Sequence, residues 1–166
     1  MTSLDVRVER ATPADLEVLI ELHHEFCAAD SHPFDATVAR RAFAPLLADD
    51  SRGLVWLVRT SDRPDEAEGY AVVTWGWSIE AGGAESIFDE MYVRRRGIGI
   101  GSRAMSLVIE EVRGLGLARI YLETESHNED GRRLYRRLGF VDEDSIWMNL
   151  DFRSESPQPI AVRPDR

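Results

Sequence analysis

The feature that most constrains this chain is a glycine-rich stretch at its centre, Asp89-Glu-Met-Tyr-Val-Arg-Arg-Arg-Gly-Ile-Gly-Ile-Gly-Ser102. The residues before the glycines are good strand formers, and those after Ser102 carry apolar side chains at helical spacing. A turn between a strand and a helix presents free backbone N–H groups and the positive end of a helix dipole, which together favour anions. The stretch therefore predicts a phosphate or pyrophosphate site, with mobile positive charge beside it from Arg94, Arg95 and Arg96.

Two common phosphate-binding folds fit this stretch poorly. A P-loop needs a lysine after the glycines, and the chain contains no lysine. A dinucleotide-binding fold would need a third glycine where Ser102 stands, and too little chain follows to complete it. Because Glu123 or Glu125 could imitate the ribose-binding acid of that fold, it stays open as a minor alternative.

Two segments in a fixed order carry a family resemblance. Arg96-Gly-Ile-Gly-Ile-Gly101 has the spacing R-x-x-G-x-G, and Asn128-Glu-Asp-Gly-Arg-Arg-Leu-Tyr-Arg-Arg-Leu-Gly-Phe140 lies downstream. They resemble the pyrophosphate signature and the N-x-x-A-x-x-L-Y-x-x-L-G-F segment of the GNAT superfamily of N-acetyltransferases. A pattern starting at Arg94 fits equally well, although the downstream helix and Gly116 favour Arg96. Gly131 replaces the usual alanine, which predicts a slightly looser helical turn.

The resemblance implies an α/β (α+β) GNAT fold, with a mixed central sheet, helices on both faces and a parallel, splayed strand pair. The gap between the strand ending at Val93 and a strand over 119–125 would take the pantetheine arm of acetyl-CoA, the implied co-substrate. The residues that the resemblance assigns to acetyl-CoA binding are Met91, Tyr92, Val93, Arg96, Gly97, Ile98, Gly99, Ile100, Gly101, Ser102, Asn128 and Tyr135.

Acetyl transfer to an amine also needs a base, because an alkylammonium with a pKa near ~10 leaves about one amine in a thousand free at pH 7. Asp89 and Glu90 are adjacent on a strand, so they should point to opposite faces and only one can serve. Alternation predicts that Glu90 shares its face with Phe88 and Tyr92. This strand is similar to that of spermidine/spermine-type acetyltransferases, which implies that Asp89 is the base and that Glu90 contacts or orients the acceptor.

The remaining catalytic groups are also implied by the resemblance. Tyr135 matches a tyrosine that protonates the departing thiolate, and an ordinary phenol is protonated at pH 7. A backbone N–H near Val93 is expected to stabilise the acetyl oxygen. The connection between the first two helices borders the acceptor site in the family, so His32 and Phe34 are candidates for acceptor contact.

Composition limits the other possibilities. The formal net charge of −10 disfavours nucleic acid and anionic membranes as partners, and suits either a cationic acceptor or simple solubility. Cys27 is the single cysteine, which fits a reducing cytoplasm. Neither a bilayer-spanning run nor a signal-type start is recognised. His23, His24 and Cys27 do not make a convincing metal ligand set, so no metal is predicted.

The periodicity predicts one domain over 1–152 and a loose tail over 153–166. Four helices are predicted. The first begins at Thr12 and ends near Ala29, and the others cover Ala36–Leu47, a segment from Ser102 to about Leu115, and Asp130–Leu138. The predicted strands are Val6–Val8, Leu54–Arg59, Gly69–Ser78, Ser86–Val93 and Arg119–Glu125, with a closing antiparallel hairpin of Val141 and Ile146–Phe152.

The function favoured by these features is acetyl transfer from acetyl-CoA to a primary amine of a small, cationic acceptor. A non-catalytic acyl-CoA sensor on the same fold and a peptide or protein N-acetyltransferase remain alternatives. Retention of both Tyr135 and an acid on the central strand favours the enzyme. A homodimer is left open.

Overall fold

The computed structural model of the protein describes residues 4–152. Within them one sheet has the strand order β1-β2-β3-β4-β5, in which β4 and β5 are parallel and the other pairs antiparallel. The strands are β1 (Val6–Arg10), β2 (Gly53–Thr60), β3 (Gly69–Ser78), β4 (Gly83–Val93) and β5 (Ile120–Leu122). The helices are α1 (Leu16–Ala29), α2 (Ala36–Ala48), α3 (Ile100–Arg113) and α4 (Glu129–Arg137). The predicted mixed sheet with helices on both faces is confirmed.

Local hydrogen bonds fix the starts of the first two helices. The predicted start at Thr12 is confirmed, with a 3-10 turn over Pro13–Asp15 before α1. The Asp15 carboxylate accepts from the backbone N–H and the hydroxyl of Thr12, both at 2.8 Å. Asp35 caps α2 by accepting from the backbone N–H groups of Thr37 and Val38, at 2.7 and 3.1 Å. The Asp35 cap fixes the point where the connection between α1 and α2, at residues 30–35, enters α2.

The core lies on both faces of the sheet. On one face α1 and α2 cover alternate residues of β2 and β3, and on the other face α3 covers the residues between them. Residues on the α1 face include Leu19, Leu22, Phe43, Val55, Leu57, Tyr70, Val72 and Tyr92. Residues on the α3 face include Leu54, Trp56, Ala71, Val73, Phe88, Met105, Val108 and Val112. This strict alternation is typical of strands buried on both faces.

Strand β4 breaks the alternation at one point. Val72 of β3 pairs with Glu90, whereas the next residue, Val73, pairs with Phe88, so Asp89 is an extra residue at a β-bulge. Phe88 therefore packs on the α3 face, while Glu90 and Tyr92 lie on the α1 face. The prediction that Glu90 shares its face with Phe88 is wrong, because a bulge reverses the side-chain direction on one side of it.

Strands β4 and β5 separate after a short parallel ladder. The paired residues are Ser86 with Ile120, Ile87 with Tyr121 and Phe88 with Leu122. Because β5 ends at Leu122 and β4 continues to Val93, the last part of β4 faces a gap rather than a strand. The predicted crossover and splayed pair are confirmed, although β5 is shorter than the predicted 119–125.

The predicted C-terminal hairpin is wrong for the described residues, since 141–152 contain no strand. Its apolar side chains are exposed, with Ile146 and Phe152 each at 90%. Strand-forming side chains are stabilised by packing against neighbours, and among residues 4–152 these side chains stay largely uncovered. Asp142 instead ties the start of the segment to α4 through Arg132, at 3.1 Å, and Arg136. The predicted tail over 153–166 lies outside the described residues.

Candidate active site

An open cleft of about 1270 Å³ begins at the gap between β4 and β5. Its walls come from the end of α1, the second half of β4, the start of α3, the chain after β5 and the start of α4. The predicted site residues that line it are Asp89, Glu90, Met91, Tyr92, Val93, Arg96, Gly101, Asn128 and Tyr135. One side of the cleft therefore carries the acids and the facing side carries the tyrosine.

The glycine turn leads into α3 with its backbone unobstructed. Gly97 and Gly99 have φ of +82° and +88°, and a Cβ added at either would meet no atom within 4 Å. Gly99 precedes α3, and no side chain caps the helix. The first N–H groups of α3 are thus free for an anion. The predicted binding residues Gly97, Ile98, Gly99, Ile100 and Ser102 do not line the cleft itself, and Ile100 is buried in the core at 1% exposure.

The three arginines before the turn do not share one role. Arg94 binds Glu25 at 2.6 and 2.8 Å and the carbonyl of Ala67 at 2.8 Å. Arg95 binds Asp62 at 2.7 Å and Glu68 at 2.8 Å. Prediction of mobile charge on Arg94 and Arg95 is therefore wrong, because distant acids hold both guanidinium groups.

Arg96 is the arginine of this run that lines the cleft. Its side chain is 61% exposed, with Asp30 at 3.7 Å and its guanidinium 5.9 Å from the ring of Tyr92. A loosely held cation beside a free helix N-terminus suits a pyrophosphate. The geometry favours the R-x-x-G-x-G pattern that starts at Arg96 over the one that starts at Arg94.

Glu68 fixes the backbone where β4 enters the glycine turn. It is 3% exposed, and its carboxylate accepts from the backbone N–H and Nε of Arg95, each at 2.9 Å. We expect Glu68→Gln to lower the free energy of unfolding by about 2 kcal/mol, the usual scale for hydrogen bonds to a buried charged group. Urea unfolding measures this loss.

Glu66→Gln is the matched control for that variant. Glu66 is exposed, and its ion pair with Arg63, at 3.8 Å, is long and solvated. Removing the Glu66 charge should therefore lower the free energy of unfolding by less than about 0.5 kcal/mol. Equal unfolding midpoints for the two variants would show that Glu68 does not hold the turn.

The two candidate acids differ in their surroundings. Asp89 is exposed and lines the cleft. The protein around it still removes part of the water from its carboxyl, and this desolvation, followed by the charge of Glu90, raises the pKa of that carboxyl above the usual range. Glu90 is 21% exposed, and its Oε1 accepts from the Tyr70 hydroxyl and lies 2.9 Å from Nδ1 of His23. One acid is thus open and prone to take a proton, and the other is held in place.

Tyr135 faces the cleft from α4. Its ring packs against Phe140 with the centroids 6.2 Å apart, and burial raises the pKa of its hydroxyl against a weaker opposing effect of a hydrogen bond with Thr124. A phenol with a raised pKa stays protonated through the neutral range and can act as an acid. The position and state of Tyr135 fit the predicted role.

Asn128 has a structural task beside Tyr135. Its Oδ1 accepts from the N–H of Gly131 at 3.0 Å, capping α4, and its Nδ2 donates to the Thr124 hydroxyl at 3.1 Å. A Cβ at residue 131 would lie 2.5 Å from Nδ2 of Asn128. Gly131 therefore makes room for this cap, which the sequence prediction of a looser turn did not foresee.

The free edge of β4 offers backbone donors to the cleft. The N–H of Arg94 donates to the carbonyl of Glu68 at 2.8 Å, on the β3 side. Because successive N–H groups point to opposite edges of a strand, those of Val93 and Met91 point to the edge that β5 has left. The N–H of Val93 lies at the predicted position for a donor to the acetyl oxygen, and that of Met91, about 6.6 Å along the strand, is available to a different acceptor.

Of the two residues predicted to contact the acceptor, His32 lines the cleft, whereas Phe34 packs on the ring of His24 with the centroids 4.6 Å apart.

Within residues 4–152 no group of three or more His, Cys, Asp or Glu side chains is arranged to hold a metal ion. No helix among them has the length and apolar content needed to cross a bilayer.

Sequence reasoning missed Glu68, His23 and Tyr70. Each acts through a partner at least 20 residues away in the chain, so spacing carried no signal for the contact. The one available signal was the placement of a polar side chain within an otherwise apolar helix or strand pattern.

Comparisons with known proteins agree with this geometry. The sequence profile of the acetyltransferase (GNAT) family matches residues 18–140. A solved structure of an integron cassette protein from the mobile metagenome of Cole Harbour Salt Marsh is 30% identical with a TM-score of 0.78, over 89% of this chain and 91% of that one. A suspected acetyltransferase from Arthrobacter sp. FB24 is 26% identical with a TM-score of 0.71, over 90% and 96%.

The fold is also similar to that of a more distant enzyme whose acceptor class is named. An aminoglycoside acetyltransferase from an uncultured soil metagenomic sample has a TM-score of 0.68 at 14% identity, over 89% of this chain and 97% of that one. At that identity the likeness concerns the fold alone. No match was found among curated proteins.

Proposed function

The chain belongs to the GNAT acetyltransferase family and is an acetyl-transferring enzyme, and we propose that it transfers the acetyl group of acetyl-CoA to a primary amine of a small cationic acceptor. The observation that carries the proposal is the cleft between β4 and β5, which brings Asp89 and Glu90 into one space with Tyr135. An acyl-CoA sensor would need the cleft but neither the acids nor the tyrosine.

The described residues fit acetyl-CoA. The free N-terminus of α3 and the side chain of Arg96 offer a site for the pyrophosphate. The unpaired edge of β4 offers backbone groups to the pantetheine amides. Asn128 caps α4 and orders the wall that carries Tyr135.

In the proposed mechanism Asp89 takes a proton from the acceptor ammonium, and the freed amine nitrogen attacks the acetyl carbonyl carbon. The backbone N–H of Val93 stabilises the negative charge that develops on the acetyl oxygen. The carbon–sulfur bond then breaks, and the Tyr135 hydroxyl gives its proton to the thiolate. The nitrogen passes its second proton to the Tyr135 phenolate, and Asp89 releases the first proton to solvent, so that both groups return to their starting states.

The charge of the cleft supports a cationic acceptor. Its acidic lining residues are Asp30, Asp89, Glu90, Glu123, Glu125, Glu129 and Asp130, against the two arginines Arg96 and Arg133. Arg133 is paired with the acids at the start of α4, and Arg96 faces Asp30. Away from the pyrophosphate site the cleft is therefore negative and attracts a positively charged amine.

The compartment that we propose is the cytoplasm, which the single cysteine supports.

A thiol-release assay with acetyl-CoA tests the proposed function. Polyamines, aminoglycosides, amino acids and peptides are offered in parallel, and we expect release with one or more small polycations. Release only with peptides would move the acceptor to a protein or peptide N-terminus. Tight acetyl-CoA binding without release with any amine would instead support the sensor.

The glycine turn gives a direct test of co-substrate binding. Gly99→Val forces a branched residue to φ near +88°, a strain of about 1–3 kcal/mol, and places methyl groups in the open space before α3. We expect the affinity for acetyl-CoA to fall at least about 10-fold, the cost of about 1.4 kcal/mol in binding. Titration calorimetry on the folded variant measures it.

Gly116→Val provides the matched control. Gly116 has a φ of +75° with no atom near its Cβ position, and it lies beyond the C-terminal end of α3, the opposite end of the helix from Gly99. The same backbone strain therefore arises away from the site, and acetyl-CoA affinity should be unchanged. A similar loss in both variants would mean that strain alone explains the effect at Gly99.

A further inference from the structure

A polar cluster lies behind Glu90, on the side away from the cleft. His23 of α1 places Nδ1 2.9 Å from Glu90 Oε1 and 3.0 Å from the Tyr70 hydroxyl. Its Nε2 lies 3.5 Å from Sγ of Cys27, one helical turn later. Glu90 lines the cleft, whereas His23, Tyr70 and Cys27 do not. The cluster therefore reaches the cleft only through the Glu90 carboxylate.

The hydrogen-bond partners assign a direction to this cluster. An ionised carboxylate can only accept, so Tyr70 donates its O–H and His23 donates Nδ1–H to Oε1. In a neutral imidazole the other nitrogen is then an acceptor, and the buried Cys27 thiol is placed to donate to it. Burial, followed by the charge of Glu90, raises the pKa of Tyr70, so its phenol stays a donor. Thiol, imidazole and carboxylate thus form one ordered chain.

Aromatic rings hold His23 in this orientation. The rings of Phe26, Phe34, Phe43 and Tyr70 surround it, with centroids between 5.8 and 6.5 Å away. Charged hydrogen bonds in such apolar surroundings are stronger than in water. The carboxylate is fixed from behind, which leaves Oε2 without a hydrogen-bond partner in the described part of the chain.

We infer that His23 is a positioning residue that, together with Tyr70, holds Oε1 of Glu90 so that Oε2 binds the ammonium group of the acceptor. The inference rests on the proposed function and deepens it by naming the acceptor's anchor. Asp89, the extra residue at the bulge, makes no hydrogen bond to this cluster among the described residues, and it is left free for proton removal. This anchor selects an acceptor whose bound ammonium group is either the reacting amine itself or a second cationic amine of the same molecule.

Steady-state kinetics with an accepted polycation test the role of His23. His23→Leu removes the Nδ1 donor, and we expect the acceptor KM to rise about 10- to 100-fold, the scale of a lost hydrogen bond to a charged group. The affinity for acetyl-CoA should not change. His23→Asn places an amide N–H near the Nδ1 position and should restore most of the acceptor affinity. An unchanged KM in His23→Leu, or an equal loss of acetyl-CoA affinity, would overturn the inference.

The Glu90→Gln background separates positioning from general damage. If His23 acts through the Glu90 charge, adding His23→Leu to Glu90→Gln should raise KM further by less than about 2-fold, because coupled residues are non-additive. A full additional loss would show that His23 acts independently of Glu90 and would overturn the inference.

A spectroscopic arm does not depend on activity. Nitrogen-15 spectra of the histidine rings in the unliganded protein at pH 8, with His23→Asn to assign the signal, report the tautomer. We expect Nδ1–H for His23, and a change of that signal in Glu90→Gln. The Nε2–H form, or a signal insensitive to Glu90→Gln, would overturn the inference. If the expected tautomer is found but no amine is acetylated, the proposed function fails while the cluster stands.

Discussion

Replacement of Tyr135 by Phe is expected to lower turnover about 10²-fold, the usual scale for loss of a general acid. The ring keeps its contact with Phe140, so the change removes only the hydroxyl. Because that hydroxyl is assigned to the sulfur and not to the CoA phosphates, acetyl-CoA affinity should be nearly unchanged. Single-turnover kinetics with a saturating amine, together with calorimetry for acetyl-CoA, measure the two quantities separately.

Tyr121→Phe is the matched control for this prediction. Tyr121 lies on β5, stacks against the Arg119 guanidinium at 4.6 Å and does not line the cleft. Its variant should turn over at the parent rate. Equal rates for Tyr135→Phe and the parent, with chemistry rate-limiting, would remove Tyr135 from the mechanism. A large drop in acetyl-CoA affinity would give it a binding role instead.

Local sequence patterns predicted the parts of this fold that depend on local physics. Alternating and helical periodicity located most strands and helices, and the turn from β4 into α3 followed from Gly97 and Gly99. The parallel pairing of β4 and β5 followed from the crossover helix between them. These features need only the residues near them in the chain.

The parts that escaped prediction depend on distant partners. Arg94 and Arg95 read as free charge until the fold brings Glu25, Glu68 and Asp62 to them, which no spacing rule can show. The C-terminal hairpin failed for the opposite reason, since the strong strand formers Ile146, Trp147 and Phe152 are 68 to 90% exposed. Strand propensity identified these side chains as strand formers, but it carries no information about which residues pack against them.

The bulge at Asp89 had the largest effect on the site. Strict alternation placed Glu90 with Phe88, on the side that α3 covers. One extra residue moves Glu90 to the α1 face, where His23 and Tyr70 meet it. A bulge is not visible in composition or period, and it decides which helix supplies the second layer of the site.

The two acids of the cleft should respond differently when each is neutralised. Asp89→Asn should lower kcat/KM for the amine about 10²-fold at pH 7, because the ammonium then has no base. The deficit relative to the parent should shrink as the pH approaches the pKa of the amine, where free amine is plentiful. Glu90→Gln should mainly raise the acceptor KM. Profiles of kcat/KM from pH 5 to 10 on the three proteins provide the measurement.

The acid side of those profiles gives a second and stricter test. A carboxylate serves as a base only when deprotonated, so the parent rate should fall as the pH drops through the pKa of Asp89, which burial and the Glu90 charge raise. Glu90→Gln removes that charge and lowers the pKa of Asp89, so its acid limb should move to lower pH. A limb that moves upward or stays fixed would contradict the coupling. If instead Glu90→Gln loses turnover at pH 7 and recovers at high pH while Asp89→Asn only raises KM, the base is Glu90 and the bulge places Asp89 at the acceptor.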